Sequence, residues 1–245
     1  MGQIITAAAA KGGSAKTTTC AALAQAALKD GKRVLAIDLD PQANLTWALA
    51  ADQNRAGAYE LITGEAPAPD TIQQTAQGVD VIAGSTDLAT LKTRPGSANR
   101  LRDALQPIQD NYDIIVIDTP PTAGELQYNA LEAANGIIIP LEADTYSLQA
   151  LYQITDLAKQ FQKTNPKLTI LGVVLTRCDQ RSNLTRYFCD VMEAKGKEVG
   201  APLLSVIHNG IAIKEAAAFQ ISLFDHAPKS KPAADYLNLY NKVFK

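Results

Sequence analysis

The chain reads as an α/β protein: a doubly wound, mostly parallel sheet with helices on both faces. Three observations point there. Short apolar runs rich in Ile and Val recur along the chain, longer helical patterns separate them, and the runs are continuously apolar rather than alternating. Continuous hydrophobicity marks strands covered on both faces. Strand and helix in steady alternation give a parallel sheet with right-handed crossovers. With 245 residues, 47% hydrophobic and 20% charged, the chain can fill a large core, and no linker or repeat divides it, so a single domain over 1–245 is expected.

Taken in order, the apolar runs predict strands over 3–9, 34–38, 79–82, 113–118, 136–140, 170–176 and 203–207. Helical periodicity fills 17–30, 97–109, 122–134, 147–164, 182–197 and 233–244. The least regular stretch is 52–77, with Pro67 and Pro69, and reads as a surface excursion between strands. Ligands of such sheets sit beyond the C-terminal strand ends, so the residues after Ala9, Asp38, Asp118, Thr176 and Ile207 are where chemistry is expected.

Composition excludes several classes. A formal charge of −2 rules out a histone-like protein that binds nucleic acid by overall charge alone. The total hides an asymmetry: residues 1–150 hold 10 basic and 17 acidic groups (net −7), and residues 151–245 hold 13 and 8 (net +5). A basic C-terminal part is compatible with a local polyanion-binding face, although Lys and Arg on helix exteriors are more often a solvated surface. No segment approaches the roughly 18 to 20 apolar residues of a membrane span, and the first residues lack a basic leader, so a soluble, cytoplasmic protein is expected. Cys20, Cys178 and Cys189 are scattered and odd in number, unlike a disulfide framework or a zinc site.

Directly after the first strand stands Lys11-Gly12-Gly13-Ser14-Ala15-Lys16-Thr17-Thr18-Thr19, where a helix begins. A strand, a Gly-rich turn, Lys-Thr and a helix cradle a polyphosphate: turn N–H groups and the positive helix end face the anion, Lys16 reaches the β- and γ-phosphates, and the Thr17 hydroxyl is placed for Mg²⁺. The standard G-x-x-x-x-G-K-[ST] pattern fails, because its glycines would fall on Ala10 and Ala15. The second strand delivers Asp38-Leu39-Asp40-Pro41 to the same sheet edge; by itself this is an ordinary Asp-Pro turn. A later strand ends in Ile114-Ile115-Val116-Ile117-Asp118, the placement of an acid that holds Mg²⁺ through water.

With Lys11 ahead of the two glycines, the loop resembles the deviant Walker A motif K-G-G-x-x-K-[ST] of the ParA/MinD ATPases. Further stretches, among them Tyr59–Glu65, 82–88, 119–126, Lys214-Glu215-Ala216 and Phe224–Lys231, resemble the ParA/Soj partition ATPases, so the likeness covers essentially the whole chain. The family usually has Gly where Ala15 and Ala43 stand.

The resemblance implies a P-loop NTPase fold, ATP and Mg²⁺ as cofactors, and weak, partner-stimulated ATP hydrolysis. It implies that Lys11 acts across an ATP-dependent homodimer, that Asp40 orients the attacking water, and that Asp38 stands near the metal with Thr17 and Asp118. It places nucleotide-binding groups on Lys11, Gly12, Gly13, Ser14, Ala15, Lys16, Thr17 and Thr18, and adenine contacts at Arg177, His208 and Asn209. The partners implied are nonspecific DNA, giving a nucleoid-associated location, and a ParB-like centromere-binding protein. Candidate DNA contacts are Arg177, Arg181, Arg186, Lys195, Lys197, Lys214, Lys229 and Lys231; Asn209 and Ala212 stand where partition ATPases usually carry arginines. The alternative is a MinD-like spatial regulator acting on a membrane or protein cargo. The terminal segment 236–245 has only two lysines for anionic lipid, so no membrane partner is expected.

Overall fold

The computed structural model describes residues 2–94, 96–179 and 181–245. Among these, eight strands form one sheet: β1 (Gln3–Ala7), β2 (Val34–Asp38), β3 (Ile72–Gln74), β4 (Asp80–Ile82), β5 (Ile114–Asp118), β6 (Gly136–Glu142), β7 (Thr169–Cys178) and β8 (Leu203–His208). Their order is β3-β4-β2-β5-β1-β6-β7-β8, parallel throughout except that β3 runs antiparallel to β4. The described helices are α1 (Lys16–Lys29), α2 (Asn44–Ala48), α3 (Ala58–Thr63), α4 (Ala68–Thr71), α5 (Arg100–Leu105), α6 (Glu125–Ala133), α7 (Ser147–Phe161), α8 (Asn183–Val199), α9 (Ile211–Ala218), α10 (Leu223–His226) and α11 (Lys231–Phe244).

Alternate strand residues face opposite sides, and both sides are buried. Leu35, Ile37, Ile115, Ile117, Ile137 and Ile139 meet α3 and α5 to α8 on one face. Val34, Ala36, Ile114, Val116, Ile138 and Val174 meet α1, α2 and α9 to α11 on the other. The continuous apolar runs therefore follow from a doubly covered parallel sheet, as expected.

Several boundaries differ from the periodicity reading for identifiable reasons. The edge strand β3 and helices α2, α3, α4, α9 and α10 were not foreseen; the stretch 52–77 contains α3, α4 and β3. The 97–109 helix is short: a 3₁₀ turn covers Ser97–Asn99, and α5 ends at Leu105, two residues before Pro107, which disfavours helix at the residue preceding it. Gly124 takes the N-cap position of α6 and delays its start to Glu125. α8 runs to Val199, where Gly200 closes it in the left-handed conformation (φ 78°). β7 continues to Cys178, two residues past the expected end.

The parallel strands all point their C-terminal ends at one rim. Asp38 and Asp118 are register neighbours there, with Ala7 beside Asp118 on its other flank.

Candidate nucleotide site

The phosphate loop follows β1 and turns into α1 through Ala15, which holds a left-handed backbone (φ 66°, ψ 30°) and makes no side-chain cap. The first N–H groups of α1 thus have no side-chain acceptor at the cap, and no acidic residue stands in the first turn. Thr176 on β7 pins the loop by donating its hydroxyl to the Ser14 carbonyl (3.1 Å), and the Ser14 hydroxyl donates to the Lys11 carbonyl (3.3 Å). Lys16 is only 6% exposed and has no ion pair among the described residues. Burial pulls its ammonium pKa down, while Asp118 and Asp40 push it up. A buried cation beside uncapped helix N–H groups is a receptor for an anion.

The acids close the other side. The Thr17 hydroxyl donates to Asp118 Oδ2 (2.6 Å), and the Thr119 N–H donates to Asp118 Oδ1 (3.0 Å). Asp38 accepts from the Asp40 N–H (3.0 Å) and from both the N–H and hydroxyl of Thr46 (2.8 Å each), so it braces the loop that carries Asp40. The Gly84 N–H donates to the same Thr46 hydroxyl, tying β4's end into the brace. Both Asp38 and Asp118 are fully buried, and loss of water pushes their carboxyls up out of the usual range; the Asp38 charge adds to the shift of Asp118, and the Asp40 charge adds to that of Asp38. Asp40 lies at the cavity wall and accepts from the Gln42 N–H (3.0 Å). Ala43 after it is also left-handed (φ 51°).

Among the described residues no group of three or more His, Cys, Asp and Glu side chains forms a ready-made metal cage. A hydroxyl and a carboxylate facing the phosphate loop nonetheless fit a hard cation that keeps several waters and takes its other ligands from phosphate.

A cavity of about 430 Å³ opens over the loop and brings together Gly12, Gly13, Ser14, Ala15, Lys16, Thr17, Thr18, Asp40 and Arg177. It then runs outward as an apolar lobe between α1 (Ala21, Ala22, Gln25), α2 (Trp47, Ala48) and the α9–α10 segment (Ile213, Ala217, Ile221). Two of the three residues expected at the base do not line this cavity. The His208 ring turns to Asp235 (Nδ1 to Oδ2, 2.7 Å), the Asn209 N–H donates to the Cys178 carbonyl (2.9 Å), and neither residue lines the cavity. Arg177 does line it, from a left-handed backbone (φ 55°), with its guanidinium on Glu142 (2.8 Å). Lys11 lies outside the cavity wall, with its ammonium on Asp144 Oδ2 (2.5 Å) and 5.9 Å from the centroid of the Tyr146 ring. Asp144, Thr46, Trp47 and Gln25 were not singled out from sequence; no local pattern marks a residue that reaches the site only through tertiary packing.

A family model described as an AAA domain matches residues 2–170. The sporulation initiation inhibitor protein Soj of Bacillus subtilis (strain 168) is 34% identical over 252 residues, covering 99% of this chain and 98% of the relative. The chromosome partitioning protein ParA of Caulobacter vibrioides (strain NA1000 / CB15N) is 35% identical over 244 residues, covering 95% and 90%. This chain belongs to the ParA/Soj family of partition ATPases. In fold, the ParA/Soj chain is similar to the septum site-determining protein MinD of Pyrococcus horikoshii OT3, solved with Mg-ADP: TM-score 0.83 and 27% identity, covering 100% of this chain and 97% of that one.

In this ParA/Soj protein the basic residues expected to meet DNA stand in two kinds of surroundings. Of the eight proposed DNA contacts, four are in ion pairs: Arg177 with Glu142, Lys195 with Glu198 (2.9 Å), Lys197 with Glu193 (3.3 Å) and Lys231 with Asp235 (3.2 Å). Arg181, Arg186, Lys214 and Lys229 have no ion pair among the described residues. No described helix is long and apolar enough to cross a membrane.

Proposed function

We propose that this chain binds ATP with Mg²⁺, pairs with a second copy while ATP is held, coats nonspecific DNA in that state, and is released when a ParB-like centromere-binding partner stimulates hydrolysis. The observation that carries this reading is Lys16, a buried ammonium with no ion pair among the described residues, set under a Gly-rich turn at an uncapped helix start. A triphosphate supplies the direct anionic partner that Asp118 and Asp40, acting at a distance, do not.

Phosphoryl transfer asks the protein mainly for position and for positive charge around the γ-phosphate. The phosphates lie along Gly12–Thr18, with Lys16 on their oxygens. Thr17 and, through water, Asp118 would hold Mg²⁺, which when bound neutralises phosphate charge; Asp38 acts behind them as the brace of the Asp40 loop. Asp40 at the cavity wall orients the attacking water. Lys11 completes the site of the opposite subunit, leaving Asp144 to do so; that pair is water-exposed and screened, so exchanging it costs little. The rim around the phosphate loop supports pairing through this face, because it exposes Tyr146 (66%) and, at the start of α8, Leu184 and Tyr187.

The runner-up, a MinD-like regulator on a membrane, has less support. In α11, Tyr236, Leu239 and Tyr240 are buried against the core, so this helix offers no apolar face to lipid. The test is retardation of random duplex DNA with and without ATP at about 50 mM salt, and again near 200 mM. ATP-dependent retardation lost at the higher salt is expected; co-sedimentation with anionic liposomes and no retardation at low salt would replace this reading with the runner-up.

A further inference from the structure

Resting on the nucleotide reading above, we infer that Gln77, at the tip of the β3–β4 hairpin, is a positioning residue that assembles the base-binding end of the nucleotide cavity.

The hairpin tip is far in sequence from every wall of that cavity, yet one side chain ties three of them together. Gln77 Nε2 donates to the Ala48 carbonyl (2.8 Å) at the end of α2 and to the Gln220 carbonyl (2.9 Å) just past α9. Its Oε1 accepts from Gln25 Nε2 (2.9 Å) on α1. Both amide protons and the amide oxygen are therefore engaged. The chain of amides continues at each end: Gln220 Nε2 donates to the Trp47 carbonyl (3.0 Å), and Gln25 Oε1 accepts from the Leu223 N–H (3.2 Å).

Local geometry aims the side chain. Gly78 takes a left-handed φ of 84°, and Thr75 closes the turn on the Val79 carbonyl through its N–H (3.1 Å) and its hydroxyl (2.9 Å). Gln220 is itself left-handed (φ 54°), which turns the chain back from α9 and presents its carbonyl to Gln77.

The walls so joined are those of the apolar lobe. Gln25 stands nine residues beyond Lys16 on α1, about 13 Å along the axis at the helical rise, roughly the reach of an extended nucleoside triphosphate from its outer phosphate to its base. Ala22, Trp47, Ile213 and Ala217 give that end flat, apolar surfaces suited to an aromatic base. Of α9 only Ala216 is buried, while Ala212 and Ile213 pack partly on the core, so the amide bonds just past the helix help fix where it stands against α1 and α2. Three hydrogen bonds from one amide thus set the width of the slot.

Two anions separate this role from general cohesion: Mg-ATP, which fills both ends of the cavity, and Mg-tripolyphosphate, which fills only the phosphate loop. Calorimetry on the full chain is expected to show ATP binding tighter than tripolyphosphate. In Gln77→Ala and in Gln25→Met, which cuts the same chain from the cavity side, ATP affinity should fall about ten-fold while tripolyphosphate affinity stays within about two-fold. Emission from Trp47, the only tryptophan in the chain, should respond to ATP and not to tripolyphosphate in the wild type, with a smaller response in both variants. Variants that melt lower but keep the wild-type ratio of the two affinities would overturn the inference, as would a wild type that binds both anions equally. A wild type that binds neither anion would instead sink the nucleotide reading itself, and the inference with it.

Discussion

Ala15 and Ala43 both hold left-handed backbone, at the N-caps of the two helices that flank the nucleotide cavity. A methyl group there costs on the order of 1–2 kcal/mol relative to the right-handed region, and glycine returns part of that gain through its freer unfolded state. Ala15→Gly and Ala43→Gly are each expected to stabilise the nucleotide-free chain by about 0.5–1 kcal/mol in urea unfolding. Asp40 carries a different expectation. Its carboxylate lies at the cavity wall without bonding Lys16 or Thr17, so Asp40→Ala should bind ATP with near wild-type affinity and pair, yet release no phosphate. Normal turnover by this variant would remove Asp40 from the mechanism. The Lys-Thr loop and the acids were legible as residues because each stands at a strand end in a recognisable local order. Gln77 and Trp47 were not, because only the tertiary fold brings a hairpin tip and a short helix to the same cavity.

β2 and β5 end side by side, and their terminal acids Asp38 and Asp118 are buried together. Burial raises both carboxyl pKa values, and neighbouring carboxylates add to this, Asp38 for Asp118 and Asp40 for Asp38, so the folded nucleotide-free chain holds protons that the unfolded chain has released. Stability should therefore decline as pH rises from the ordinary carboxylate range near 4 into the neutral and mildly alkaline range. Melting temperatures between pH 5 and pH 8.5 check the sign, and Asp118→Asn should flatten the slope; a wild-type profile that climbs over this window would contradict it. At the same scale, the central strands were readable because burial on both faces leaves no polar alternation. β3 escaped because three residues, two of them Gln, carry no apolar run. α9 escaped because its eight residues follow β8 so closely that their apolar character merges with the strand signal.

Across the whole molecule, charge is divided rather than absent, and four of the eight expected DNA contacts are partly neutralised by neighbouring acids. One copy alone should hold DNA weakly. Two copies would double the phosphate contacts and with them the steepness of the salt dependence, so the proposed DNA binding would be a property of the ATP-held pair. Arg181→Ala and Lys214→Ala, at positions without an ion pair among the described residues, should each weaken retardation and shallow its salt slope by about one contact per subunit, whereas Lys197→Ala, already paired with Glu193, should change it less. The α/β architecture was legible throughout, since alternation of element types survives errors in their ends. Which surface meets DNA was not, because charge on helix exteriors looks the same in sequence whether or not an acid stands beside it. In the proposed cycle, pairing is the step on which hydrolysis and DNA binding both depend. Sedimentation velocity with a nonhydrolysable ATP analogue and Mg²⁺ tests it most directly: a dimer with the analogue and a monomer without it are expected, and a monomer that persists when the analogue saturates the site would contradict the account.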